Sequence, residues 1–182
     1  HRGAADLPLA DAQRAMRLVR HRAAEWGIDP ASVGVMGFSA GGHVAASLAT
    51  RHAEPVYAPV DEADAEDARP AYAVLVYPVI DMGTHAHPGS RERLLGPMPD
   101  PEQVARYSLH HRVGADTPPV FLLHAQDDDV VPVENTLLFE AALRRAGIEH
   151  ETHLYARGGH GFGVRGAHGT LALWPRLAVA WI

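Results

Sequence analysis

The sequence predicts an α/β fold, a mostly parallel sheet flanked by helices. Three observations predict it. Short apolar runs at 33–38, 73–78 and 120–124 alternate with stretches of helical period, the order of β-α-β units. The run Ala73-Val74-Leu75-Val76 is apolar at successive positions, as a strand covered on both faces requires. Finally, Val33-Gly34-Val35-Met36-Gly37-Phe38 leads through Ser39 into the helix-forming Ala40-Gly41-Gly42-His43-Val44-Ala45-Ala46. With four strands visible, the sheet is open and not a barrel.

Residues 6–26 form the first helix, because Leu9, Ala12, Met16, Val19 and Ala23 recur at helical spacing and Gly27 suits the position after the last turn. Asp29-Pro30 makes a turn before the strand at 33–38. A helix over about 40–52 follows. Residues 54–69 hold prolines and the acidic run 61–67, which reads as a solvated loop and not as a metal site. After the strand at 73–78, residues 80–119 are irregular, with a short helix near 101–107. A third strand covers 120–124, and the helix at 133–146 is closed by Gly147. The fourth strand is 150–155. A last helix begins near His168 and carries Leu171, Trp174, Leu177, Ala178 and Trp181 on one stripe.

Composition bounds the partners. At 182 residues and 47% hydrophobic, the chain supports one globular core. A net charge of −6 and a pI near 6.1 argue against a nucleic-acid partner. Cysteine is absent, which excludes disulfides, thiolate catalysis and Cys-ligated zinc. No apolar stretch is long enough to span a membrane. The sequence opens at His1-Arg2 and stops at Trp181-Ile182 inside a helical pattern with no capping residue, so it reads as a portion of one domain, incomplete at both ends.

The chemistry is concentrated after the strands. A serine in Gly-x-Ser-x-Gly between strand and helix sits in a strained turn that projects its hydroxyl from the sheet edge. Gly37 and Gly41 are expected to lie where a Cβ would clash. The Ala40 N–H, at a helix N-terminus, faces the place where an oxyanion would form. The competing reading is a chance match on a buried serine. A serine hydroxyl needs a base, and the base needs a carboxylate to fix its tautomer. The third strand is followed by Asp127-Asp128-Asp129, and the fourth by Gly158-Gly159-His160-Gly161-Phe162-Gly163. Ser39, an Asp of this run and His160 therefore form a candidate triad. Phe162 is a candidate for lining an acyl pocket, with ordinary packing as the alternative, and residues 80–96 are expected to wall that pocket. His43 reads as a packed helix residue and His124 as a locally hydrogen-bonded strand end. His85 with His87, and His110 with His111, lack the helical spacing of a metal site.

These pieces resemble the α/β-hydrolase esterases, in the branch of carbohydrate acetylesterases or acetylxylan-esterase-like enzymes. The resemblance rests on Gly27-Ile28-Asp29-Pro30, Gly37-Phe38-Ser39-Ala40-Gly41-Gly42-His43, Tyr77-Pro78, His87-Pro88-Gly89-Ser90, Leu94-Leu95-Gly96, Pro118-Pro119-Val120-Phe121-Leu122, Val131-Pro132-Val133-Glu134-Asn135 and Gly158-Gly159-His160-Gly161-Phe162-Gly163. It implies a serine esterase acting on short acyl esters, acetyl above all, on a carbohydrate, with no cofactor and no metal. Its implied partner is a small-molecule ester substrate, with neither nucleic acid nor membrane. It also places the triad acid three residues before Val131, at Asp128, and leaves Asp127 as a turn residue and Asp129 as an exposed neighbour. The family's sheet has eight strands, of which the last four are found here; the N-terminal strands and the Gly-rich loop with the second oxyanion donor are not. A prolyl-oligopeptidase-like peptidase and a non-catalytic binding domain of the same fold are the alternatives.

Overall fold

The computed structural model describes residues 4–182. Its centre is a four-stranded, wholly parallel sheet of β1 (Val35–Phe38), β2 (Ala73–Val76), β3 (Val120–Ala125) and β4 (His150–Tyr155), in that spatial order. Gly37 stands beside Leu75, Leu75 beside Leu122 and Leu122 beside Thr152. The fold class and the four strands are those read from the sequence. Successive side chains of β2 and β3 enter opposite layers. Leu75, Val120 and Leu122 pack with Ala45, Ala46, Phe139 and Leu143, which belong to α3 (Ala40–Arg51) and α6 (Glu134–Ala146). Val74, Val76, Phe121 and Leu123 pack with Trp174 and Ala178 of α7 (Trp174–Trp181). Both faces are covered, which explains the unbroken apolar run of β2.

The first helix is divided. A short 3₁₀ turn, Ala4–Asp6, leads into α1 (Leu7–His21), and the one-turn α2 (Ala23–Trp26) ends in the left-handed Gly27 at φ 65°. Leu9 and Met16 pack on Leu48 of α3. The acidic run is largely exposed, as expected of a solvated loop, but it is folded and not irregular. Asp61 and Asp64 cap a 3₁₀ turn over Glu62–Ala65, and the Arg14 guanidinium of α1 holds Asp61 through two hydrogen bonds of 2.8 and 2.6 Å. The run is docked because α1 presents arginines to it, a pairing of segments far apart in the chain.

The segment 80–119 contains α5 (Pro101–Tyr107), where a helix was expected, and also α4 (Pro88–Leu95), which was not. His87 caps α4 through its Nδ1, which accepts the Ser90 N–H at 3.2 Å, so a histidine stands where Ser or Asp is the usual signal. Buried Asn135 pins this segment: its Oδ1 accepts the Ile80 and Asp81 N–H groups at 2.8 Å, and its Nδ2 donates to the His85 carbonyl at 2.8 Å. In α7 the expected stripe is narrower. Trp174 and Ala178 are buried, whereas Leu177 lies at the stripe's edge and is 36% exposed. β1 and β4 are the edge strands, and no described strand pairs with the outer side of β1. Among the described residues, no helix is long and apolar enough to cross a membrane.

Candidate active site

The parallel sheet brings the C-terminal ends of its strands to one edge, and the candidate residues lie there. Ser39 follows β1 and caps α3, with φ 52° and ψ −121°, a conformation a non-glycine residue rarely adopts. The turn is held on both sides, since the Ser39 N–H donates to the Val76 carbonyl at 3.0 Å and the Val79 N–H donates to the Ser39 carbonyl at 3.0 Å. A Cβ on Gly37 would stand 2.2 Å from the Gly41 carbonyl oxygen, so this glycine is required as expected. The same expectation fails for Gly41, where a Cβ would meet nothing within 4 Å. The second crowded position is Gly42, whose Cβ would lie 2.7 Å from that of Pro78. The helix turns the Gly41 Cα outward and the next residue onto the end of the second strand.

Ser39 Oγ donates to His160 Nε2 at 2.8 Å, and His160 Nδ1 donates to Asp128 Oδ2 at 2.7 Å. The three side chains, separated by 121 and 32 residues, thus form one hydrogen-bonded line. The other carboxylate oxygen, Oδ1, accepts the Val130 and Val131 N–H groups at 2.9 Å each. Burial pushes the Asp128 carboxyl up, but the His160 hydrogen bond and the two backbone donors outweigh it and hold the group below the usual carboxylate range. Asp127 is a turn residue: its Oδ1 accepts the Gly158 and Gly159 N–H groups at 2.8 Å, tying the loop after β3 to the loop that carries His160. Asp129 is exposed. The Ala40 N–H lies in the first turn of α3, where helical N–H groups have no acceptor within the helix.

Other candidates take structural places. Phe162 is 5% exposed and its ring meets Tyr77 edge-on at 4.6 Å, so it serves the packing alternative. His43 is buried with its Nε2 donating to the Tyr107 carbonyl at 3.0 Å; burial drives its pKa down to about 4 against that bond, with Arg51 adding to the fall. The His110 and His111 rings lie with centroids 3.9 Å apart, tilted by 47° to each other. Beside Ala40 lies a cavity of about 250 Å³ lined by His43, Val44, Val79, Met82 and Leu94 among others. Met82 and Leu94 belong to the segment expected to wall the pocket.

Two further residues contribute: Tyr77, to which the sequence reading gives no role in the site, and His124, which is locally hydrogen-bonded as expected but is given no link to the site. Tyr77, at φ 37° after β2, sets its ring 4.8 Å from that of His160, and its hydroxyl accepts the Gly163 N–H at 3.2 Å. His124 Nε2 lies 3.2 Å from Asp128 Oδ2, so the histidine touches the carboxylate that orients His160. The i, i+4 spacing of His124 and Asp128 was the available signal. It carries no weight without knowing that the chain turns back there.

A parallel sheet with Ser after one strand, Asp after a later one and His after the last is the α/β-hydrolase arrangement. Within that fold, the BD-FAE family model matches residues 3–143, and the chain belongs to this family. It is 41% identical over 162 residues to endo-1,4-beta-xylanase B of Butyrivibrio fibrisolvens, covering 86% of this chain and 25% of that protein. It is 36% identical over 162 residues to the acetylxylan esterase of Xylanibacter ruminicola, covering 86% of this chain and 31% of that protein. The crystal structure of the acetyl ester-xyloside bifunctional hydrolase from Caldicellulosiruptor lactoaceticus superposes with a TM-score of 0.89 at 42% identity, covering 95% of this chain and 64% of that one. The chain therefore spans a quarter to a third of the length of these curated relatives.

Proposed function

We propose that the protein is a serine carboxylesterase that removes short acyl groups, acetyl above all, from a carbohydrate. The observation that carries this reading is the line Ser39–His160–Asp128, with a buried carboxylate, an oriented imidazole and a serine in a strained turn. His160 Nε2 takes the Ser39 proton as Oγ attacks the ester carbonyl. The Ala40 N–H donates to the resulting oxyanion. His160 then protonates the departing sugar oxygen as the ester C–O bond breaks, which releases the sugar hydroxyl and leaves an acyl-enzyme on Ser39. Water then attacks the acyl carbonyl as it gives a proton to His160, and His160 returns that proton to Ser39 Oγ as the acyl–oxygen bond breaks and the carboxylic acid leaves. No step needs a cofactor. The apolar cavity of about 250 Å³ beside Ala40 suits a small acyl group, being below the ordinary range for ligand pockets.

The substrate class comes from the acetylxylan esterase and acetyl ester-xyloside hydrolase relatives. Glycosidic cleavage, named for the xylanase relative, ordinarily uses two carboxylates flanking the scissile bond. The site here has a single carboxylate placed behind a histidine, which supports the esterase reading. In the full-length protein, a fluorophosphonate should label Ser39, and Ser39→Ala should abolish labelling and the hydrolysis of p-nitrophenyl acetate. The acetate ester should be turned over with higher kcat/KM than the octanoate. Labelling at another residue would overturn the assignment of the nucleophile. A preference for octanoate would overturn the acetyl specificity alone.

A further inference from the structure

His124 is the last buried polar side chain before the loop of the triad acid, and the mechanism above does not use it. It is the penultimate residue of β3 and has no exposed surface, enclosed by Asp128, Val131 and Thr136. Its Nε2 faces two oxygens that can only accept: Asp128 Oδ2 at 3.2 Å and the Val131 carbonyl at 3.0 Å. Nε2 must therefore carry the proton. Its Nδ1 lies 2.8 Å from Thr136 Oγ1, a hydroxyl that can donate, so the neutral Nε2–H tautomer satisfies every polar atom of the ring.

We propose that His124 is a positioning residue for the triad acid, donating through Nε2–H to the same Asp128 oxygen that receives His160 Nδ1–H. This rests on the Ser39–Asp128–His160 reading. With His124 in place the carboxylate has four N–H donors, two on each oxygen: His160 and His124 on Oδ2, Val130 and Val131 on Oδ1. All its strong acceptor directions are then taken, and it cannot rotate away from His160. Each donor also draws charge from the carboxylate and stabilises its ionised form. His124 itself remains neutral, because burial opposes its protonation more strongly than the Asp128 charge and the Val131 carbonyl favour it. The other groups facing His160 are Ser39 Oγ, the Tyr77 ring and Asp127 through the Gly158–Gly159 turn.

Two substitutions separate positioning from mere packing. A glutamine amide reproduces the position of histidine Nε2, and an asparagine amide that of Nδ1. His124→Gln keeps a donor toward Asp128, whereas His124→Asn loses it and keeps the contact with Thr136. For p-nitrophenyl acetate, H124N should lower kcat by roughly 10- to 100-fold with KM nearly unchanged, the cost of one hydrogen bond to a charged group. H124Q should stay within about threefold of the native enzyme in both kcat and KM. Equal losses in both variants would make His124 a packing residue and overturn the proposal, as would an unchanged H124N. Nitrogen NMR of the native protein gives a readout that does not depend on the variants folding. The His124 ring should remain the neutral Nε2–H tautomer at the pH of the kinetic assays, and an Nδ1–H tautomer would overturn the proposal outright. If native Ser39 fails to take the fluorophosphonate, the triad reading has failed. If it is labelled normally and H124N behaves like H124Q, only the role of His124 has failed.

Discussion

Asp128→Asn is the sharpest perturbation of the site, because the substitution conserves shape and changes only what the two terminal atoms can do. The carboxylate accepts from Val130 and Val131 on Oδ1 and from His160 and His124 on Oδ2. An asparagine offers one accepting oxygen and one donating NH₂. The two backbone N–H groups cannot turn away, so the oxygen stays with them and the NH₂ faces the histidines. His160 can then meet it only with an unprotonated Nδ1, which puts its proton on Nε2, pointing at Ser39 Oγ 2.8 Å away. That nitrogen no longer accepts the serine proton. A tautomer error of this kind costs about 10⁴ in kcat in another triad enzyme, equivalent to about 5.5 kcal/mol of barrier. KM should change little, because Asp128 lies behind His160. The assay is steady-state hydrolysis of p-nitrophenyl acetate by the full-length protein, with a thermal melt to confirm folding. Asp127→Asn is the control: its oxygen can still accept from Gly158 and Gly159, so it should lose less than about tenfold. A loss below about 100-fold for D128N, or a greater loss for D127N, would show that a different carboxylate orients the base.

Two further outcomes follow from buried groups near the nucleophile. His43 has a folded pKa of about 4, so between there and the unfolded value near 6.5 the unfolded chain binds the extra proton; its share of stability is complete above pH 6.5 and falls away by up to about 3 kcal/mol as pH drops toward 4. Urea unfolding at pH 7 and 4.5 should show that His43→Gln loses less stability over this interval than the native protein, and parallel losses would refute the assignment. Gly37→Ala drives a Cβ to 2.2 Å from the Gly41 carbonyl and should cost about 1–3 kcal/mol or more together with fluorophosphonate labelling, whereas Gly41→Ala has open space and should fold; a melt of both variants decides it.

What was legible in the sequence is what depends on local order. The strand Val35–Phe38, the turn at Ser39 and the helix Ala40–Arg51 are contiguous, and their residue types declare each other. β4 kept the same limits, 150–155, and Gly147 closes α6 at φ 68° as its position implied. Failures came where a residue's role is assigned by a partner far along the chain. The acidic run 61–67 stays largely exposed as read, but its fold into a 3₁₀ turn tied to Arg14 of α1 depends on a partner 47 residues away. α4 begins at a histidine cap that local rules do not single out. Gly41 fits the motif, yet it is Gly42 that meets Pro78, a residue brought there by strand pairing. Phe162 sits in the middle of a functional loop, but its ring turns inward against Tyr77.

That inward turn bears on how the site is held together. The members of the proposed triad follow β1, β3 and β4, while β2 lies between β1 and β3 and contributes none of them. Its end must still fill the space between the serine and the base, and Tyr77 does so. Its positive φ bends the chain end away from the strand direction and stands the ring beside His160, with Phe162 against its edge. The hydroxyl takes the Gly163 N–H, and Trp174 of α7 donates to the Gly163 carbonyl at 2.8 Å, so the loop after β4 is fastened from two elements that carry no chemistry. Positive φ at Ser39 and at Tyr77 costs on the order of 1–3 kcal/mol each. These two strained ends are also bonded to the sheet, Ser39 through Val76 and Tyr77 through Leu123. The cost is therefore carried by the β1–β2–β3 ladder, and the positions of Ser39 and His160 depend on that ladder being intact.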